Sequence, residues 1–121
     1  VPLIEQMAGE CLARGDILRL VYNYNLGPGS PPVDLMVYDP RDDDCGMGLM
    51  VVSGYKAGLV YAILPLASKP QQSRGLSVDW LVENWSTWFC HEWDGEMRVI
   101  PLVGSRALRW DECQIIAKDE I

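Results

Sequence analysis

Hydrophobic positions along the chain fall into short runs broken by glycine, proline and acids. Asp16-Ile17-Leu18-Arg19-Leu20-Val21-Tyr22-Asn23-Tyr24 is rich in β-formers and predicts a strand. Gly27-Pro28-Gly29-Ser30-Pro31-Pro32 is a loop on turn chemistry alone. Val33-Asp34-Leu35-Met36-Val37-Tyr38 predicts a second strand, paired with the first as a hairpin with a long, proline-stiffened connection. Asp39-Pro40-Arg41-Asp42-Asp43-Asp44 crowds four acids around one arginine and must stay in water. Gly48 to Ser53 and Leu59 to Leu64 predict two more strands, and Gly54-Tyr55-Lys56-Ala57-Gly58 between them is short enough for a hairpin loop. Neither run alternates, so both are expected to be central strands covered on both faces. Pro65 closes the second of them, because it cannot donate to the ladder.

A helix is predicted after the polar stretch from Leu66 to Gly75. Ser77 is a suitable N-cap, and Asp79 suits the positive end of the helix dipole. Val78, Leu81, Val82, Trp85, Trp88 and Phe89 recur at helical spacing on one face, with Trp80, Glu83, Asn84 and Thr87 off that stripe. The helix is expected to lay Trp85 and Trp88 on the sheet and to stop near Cys90, before the Asp94-Gly95 turn. Met97 to Leu102 predicts a strand, and Gln114 to Ala117 a last one. Leu3 to Ala13 reads either as a short strand or as an irregular helical turn, since Gly9 and Gly15 weaken a long helix. The sum is an α+β fold: a mainly antiparallel, strongly curved or barrel-like sheet of about five to six strands with one main helix packed across it.

At 121 residues the chain suits a single domain, 1–121, and 49% apolar content can bury a core. No apolar run is long enough to cross a bilayer, and Val1-Pro2-Leu3-Ile4-Glu5 shows no signal-peptide pattern, which points to the cytoplasm. A periplasmic location remains open if an upstream signal was removed. Seventeen acids against ten bases give a formal charge of −7, so nucleic acids and anionic lipid are poor partners and a basic protein is a good one. The alternative is that the acids only keep the domain soluble. Cys11, Cys45, Cys90 and Cys113 form no C-x-x-C pair and are expected as free thiols.

No motif predicts catalysis, a cofactor or a metal. The single histidine lies in Cys90-His91-Glu92, and adjacent residues seldom converge on one ion or form a nucleophile–base pair. Glu92, Asp94 and Glu96 alternate, which puts them on one side of an extended strand, as a solvated acidic rim rather than a catalytic pair. Gly46-Met47-Gly48 and Gly27-Pro28-Gly29 lack the context of a phosphate loop. Arg106 and Arg109 flank Leu108 and Trp110, and read as surface arginines covering apolar neighbours. Trp80, Trp93 and Trp110 sit at polar or turn positions, where a tryptophan either caps a small core or anchors an interface.

Two stretches together resemble the immunity protein 45 family of bacterial polymorphic toxin systems. One is Ser53-Gly54-Tyr55-Lys56-Ala57-Gly58, followed by Ile63-Leu64-Pro65. The other is Asp79-Trp80-Leu81-Val82-Glu83-Asn84-Trp85-Ser86-Thr87-Trp88-Phe89. The resemblance runs from about Glu10 to Leu102. It departs from the family pattern after the helix, where an aromatic-Pro-Glu end is replaced by Phe89-Cys90-His91-Glu92. The resemblance implies a non-enzymatic, stoichiometric inhibitor that binds a cognate secreted toxin domain in interbacterial competition, as a monomer or a dimer. From charge and exposure, the expected toxin-binding residues are Asp42, Asp43, Asp44, Trp80, Glu83, Glu92, Trp93, Asp94 and Glu96. The other readings are an adaptor or assembly module of a secretion system, and a small hydrolase.

Overall fold

The fold is described by a computed structural model over residues 2–21, 32–70 and 75–109. A 3-10 turn, Ile4–Gln6, opens the chain. Strands β1 (Cys11–Leu12), β2 (Ile17–Arg19), β3 (Asp34–Tyr38), β4 (Cys45–Val51) and β5 (Val60–Pro65) follow. A second 3-10 turn, Leu66–Ser68, leads to β6 (Leu76–Ser77), α1 (Val78–Glu83), α2 (Trp85–Trp88), β7 (Cys90–Trp93), β8 (Glu96–Val99) and β9 (Arg106–Leu108).

The main sheet is antiparallel, in the order β5-β4-β3-β2-β9. Its register explains its buried face. Ala107 lies opposite Leu18, Leu18 opposite Leu35, and Leu35 opposite Val51, so one row of buried side chains crosses four strands. A second contact, Val37 opposite Leu49, continues the face. Strand β3 alternates as its sequence predicts, with Leu35 and Val37 buried and Asp34, Met36 and Tyr38 half-buried. Where Arg19 faces Asp34 the pairing is bidentate, Nε to Oδ1 at 2.7 Å and Nη2 to Oδ2 at 2.9 Å.

Glycine is required in β4. A Cβ on Gly46 would lie 2.6 Å from the Pro65 carbonyl oxygen, and one on Gly48 would enter the Tyr38 ring, which lies over it. Only a bare backbone lets β5 and Tyr38 approach this closely.

Several expectations are corrected. The sheet is open rather than barrel-like, because β5 and β9 stand at opposite edges and do not meet. Strand β4 is covered on both faces for most of its length, but β5 is an edge strand that exposes Val60 and Ile63. The single helix is two short ones. At Asn84 the backbone leaves helical geometry (φ −105°, ψ 13°), and both its N–H and its side-chain Nδ2 donate to the Trp80 carbonyl at 2.9 Å. An asparagine that satisfies the preceding turn in this way caps it, and the helix restarts at Trp85. The predicted stripe holds for Val78, Leu81, Trp85 and Phe89, but Val82 is 38% exposed. The strand expected over 97–102 is β8, which ends at Val99 because its partner β7 ends at Cys90. The proposed strand over 114–117 and the 22–31 part of the first hairpin lie outside the described residues.

The fifth strand of the sheet is β9, which the pattern did not reveal. The segment before the Ile4–Gln6 turn pairs with its outer edge: Leu3 bridges to Arg106, Ile4 N–H donates to Ser105 O (2.9 Å) and Ala107 N–H to Pro2 O (3.0 Å). Arg109 is more than a cover for apolar neighbours. It donates to Cys11 O (2.7 Å), to the buried Asp16 carboxylate (3.0 Å) and to Glu10 (2.9 Å), clasping the end of β9 to the start of the chain. The ambiguous N-terminal stretch is both things at once, a 3-10 turn followed by β1, which pairs with β6.

Candidate partner-binding surface

Three acidic features stand on this frame. The first is the hairpin of β7 and β8, an arm that sequence reasoning missed. Asp94 and Gly95 both have positive φ (53° and 81°), the geometry of the two-residue turn that suits strand twist. Asp-Gly is the strongest short-range signal for such a hairpin, and it was legible at these positions. The arm is rooted in a stack of rings. Phe89 is fully buried, with its ring 4.0 Å from that of Trp85 and 5.6 Å from that of Tyr61. Trp85 Nε1 donates to Ile100 O (2.6 Å), Ile100 N–H to Phe89 O (2.7 Å), and the Tyr61 hydroxyl to Trp88 O (3.0 Å).

Beyond this root β8 is bare, while Cys90 and His91 of β7 are half-buried. All four residues of β8 are exposed, with Met97 at 67% and Val99 at 49%. A two-stranded ribbon with so little cover is marginal by itself; the ring stack and the turn hold its shape. It carries Glu92, Asp94 and Glu96 against one arginine, Arg98, whose Nη2 is 4.0 Å from Glu96. The three acids do not share one side. The chain reverses at Asp94-Gly95, Glu92 lies opposite Met97, and Glu96 lies opposite position 93, so Glu92 and Glu96 project from opposite faces.

The second feature is the turn from Asp39 to Asp44. Asp39 Oδ1 accepts from Arg41 N–H (2.8 Å), and Asp42 Oδ1 from Asp44 N–H (2.9 Å), so two of the acids shape the loop as well as charging it. Asp42, Asp43 and Asp44 are all exposed. With Asp39, Arg41 and Lys69, the first two line a polar depression of about 290 Å³. Next in the chain, burial of its thiol, and then the carboxylates of Asp42 and Asp44, push Cys45 above the ordinary thiol range. Cys45 is therefore poorly suited to act as a nucleophile.

The immunity protein 45 family model matches residues 4–99. This chain belongs to that family. No curated protein and no solved structure matches it. In this member of the immunity protein 45 family the matched stretch runs from the Ile4–Gln6 turn to the end of β8, and takes in both features described above.

The third feature of this immunity protein 45 family chain lies on α1. Trp80 is half-buried, with its ring 6.3 Å from that of Trp88, so it covers the rim of the core. Glu83 is exposed one turn beyond Asp79. With Glu5 they border a groove of about 370 Å³ whose remaining lining is Ile4, Ala8, Val78, Val82 and Leu102. Of the acids bordering this groove, sequence reasoning named only Glu83 as a binding residue and gave Asp79 to the helix dipole. Glu5 is far away in the chain, and the β1–β6 pairing, with Val78 N–H donating to Glu10 O (3.0 Å), helps bring the two segments together.

For chemistry of other kinds the site offers little. Among the described residues no group of three or more histidine, cysteine and acidic side chains stands close enough to hold a metal ion. Cys11, Cys45 and Cys90 are free thiols, and Cys113 lies outside the described residues. Among the described residues no helix is long and apolar enough to cross a membrane.

Proposed function

We propose that this protein binds and neutralises a cognate secreted bacterial toxin domain, acting in the cytoplasm as a stoichiometric inhibitor without catalysis. Membership of the immunity protein 45 family over residues 4–99 carries this reading. The charge balance supports a basic partner: at −7 the chain steers a cationic surface toward itself and repels the polyanions that such a toxin would otherwise bind. The proposed contact residues are the exposed acids Asp42, Asp43, Asp44, Glu83, Glu92, Asp94 and Glu96, together with the exposed Met97 and Val99, which supply apolar area between charges. Trp93 and Trp80 belong to the same two segments, and Trp80 serves as support for α1.

The test is co-purification with the toxin domain encoded beside this chain, with affinity measured at low and high salt. Tight one-to-one binding that weakens with salt is expected. Charge reversal at Asp42, Asp43 and Asp44, and separately at Glu92, Asp94 and Glu96, should lower the association rate at least tenfold at low salt. Unchanged affinity in both reversals would remove these acids from the interface. Absence of binding by the native protein would remove the function itself.

A further inference from the structure

The groove between the Ile4–Gln6 turn and α1 combines an apolar floor with an acidic border. Ile4 and Val78 are buried beneath it, Leu102 is half-buried at one side, and Val82 presents part of its side chain to it. Glu5, Asp79 and Glu83 stand along its border, and among the described residues no lysine or arginine lines it. Asp79 and Glu83 are four residues apart on one helix, the spacing at which like charges repel. Among the described residues none of the three acids forms an ion pair. Asp79 is held in place by Gly9 N–H, which donates to its Oδ1 at 3.0 Å.

We propose that this groove receives an arginine side chain projecting from the partner protein. The inference rests on the toxin-binding reading and names one contact within it. The volume, about 370 Å³, is at the small end for a binding pocket and suits one long side chain rather than a folded segment. Arginine fits both halves of the groove: its stem lies along the accessible Ala8, Val82 and Leu102, while its planar guanidinium offers five donors to the carboxylates. It also relieves the Asp79–Glu83 repulsion that the free protein carries. Desolvated arginines of this kind are often the residues on which an interface depends.

Two measurements test it. In the first, amide shifts of the isotope-labelled protein are followed on titration with Nα-acetyl-arginine amide, and with the neutral citrulline analogue as control. Saturable shifts are expected at Glu5, Ala8, Gly9, Val82 and Glu83 for the arginine probe, at least tenfold weaker for citrulline, and lost in Asp79→Asn/Glu83→Gln. Asparagine at 79 still accepts from Gly9, and the spectrum of the variant reports that its fold is kept. Equal response to both probes, or shifts confined to Asp42–Asp44 and the arm, would overturn the proposal. In the second, the same variant is expected to bind the toxin domain at least tenfold more weakly than the native protein. Native binding with no loss in the variant overturns the groove contact alone; no binding by the native protein overturns the toxin reading and the contact with it.

Discussion

Replacement of Phe89 by leucine tests how the arm is held. Phe89 is fully buried and contacts two rings, Trp85 at 4.0 Å and Tyr61 at 5.6 Å between centroids. Its backbone also takes part in the root: its N–H donates to Trp85 O (2.8 Å) and its carbonyl accepts from Ile100 (2.7 Å). Leucine keeps most of the apolar burial and all of the backbone bonding, so the loss is that of the two ring contacts. Each is worth about 0.5–1.5 kcal/mol beyond area burial, which gives about 1–3 kcal/mol in total. For a chain of this size that lowers the melting temperature by roughly 4–12 °C. Urea unfolding at constant slope measures the loss, and hydrogen exchange shows where it acts. Amides of β7 and β8 should exchange faster relative to those of β3 and β4, because the ribbon has little cover of its own. A loss below about 0.5 kcal/mol, or acceleration shared evenly by all strands, would refute the idea that the ring stack sets the arm. Phe89→Ala is a harsher version, expected to cost about 3–5 kcal/mol.

Gly46→Ala should destabilise by about 1–3 kcal/mol, since its Cβ meets the backbone carbonyl of Pro65 as well as the Ser68 hydroxyl; a melting curve unchanged from the native one would show that the β4–β5 approach is looser than described. Arg109→Ala should cost about 2–3 kcal/mol, because it strips a cation from the buried Asp16 carboxylate and from Cys11 O; Arg109→Lys should recover only part of this, as read by urea midpoint. Alkylation of Cys45 should require a more alkaline pH than that of an unperturbed thiol. Burial and the nearby carboxylates disfavour the thiolate, so Asp42→Asn is expected to move the profile to lower pH, and a profile that does not move would remove the carboxylate as a cause.

Legibility in the sequence followed the range of the forces involved. Strand β3 was readable because Leu35 and Val37 alternate with half-buried neighbours, and the N-cap because Ser77 Oγ accepts from Trp80 N–H within one turn (3.2 Å). The break at Asn84 was not read because the apolar stripe continues through it; the interruption comes from a side-chain amide bonding its own backbone. Cys90-His91-Glu92 is poor in β-formers, so the Asp-Gly turn was recognised without the strand before it. β9 is three residues long and exists because the chain start and β2 flank it. The exposed acids of the Asp42–Asp44 turn were visible by composition. The groove was not, because Glu5 and Glu83 are brought together by long-range contacts, the β1–β6 pairing and the Gly9–Asp79 hydrogen bond.

The two edges of the main sheet are unequal. At β9 the backbone groups are taken by Pro2, Leu3 and Ile4, whereas no strand among the described residues pairs with the outer side of β5. In terms of assembly, the described part of this sheet offers one open edge. A strand brought beside Val60 to Ile63 would meet unpaired backbone groups, whereas one brought to β9 would find that side already taken. Pro2, Leu3 and Ile4 thus act as a terminator at that edge of the sheet.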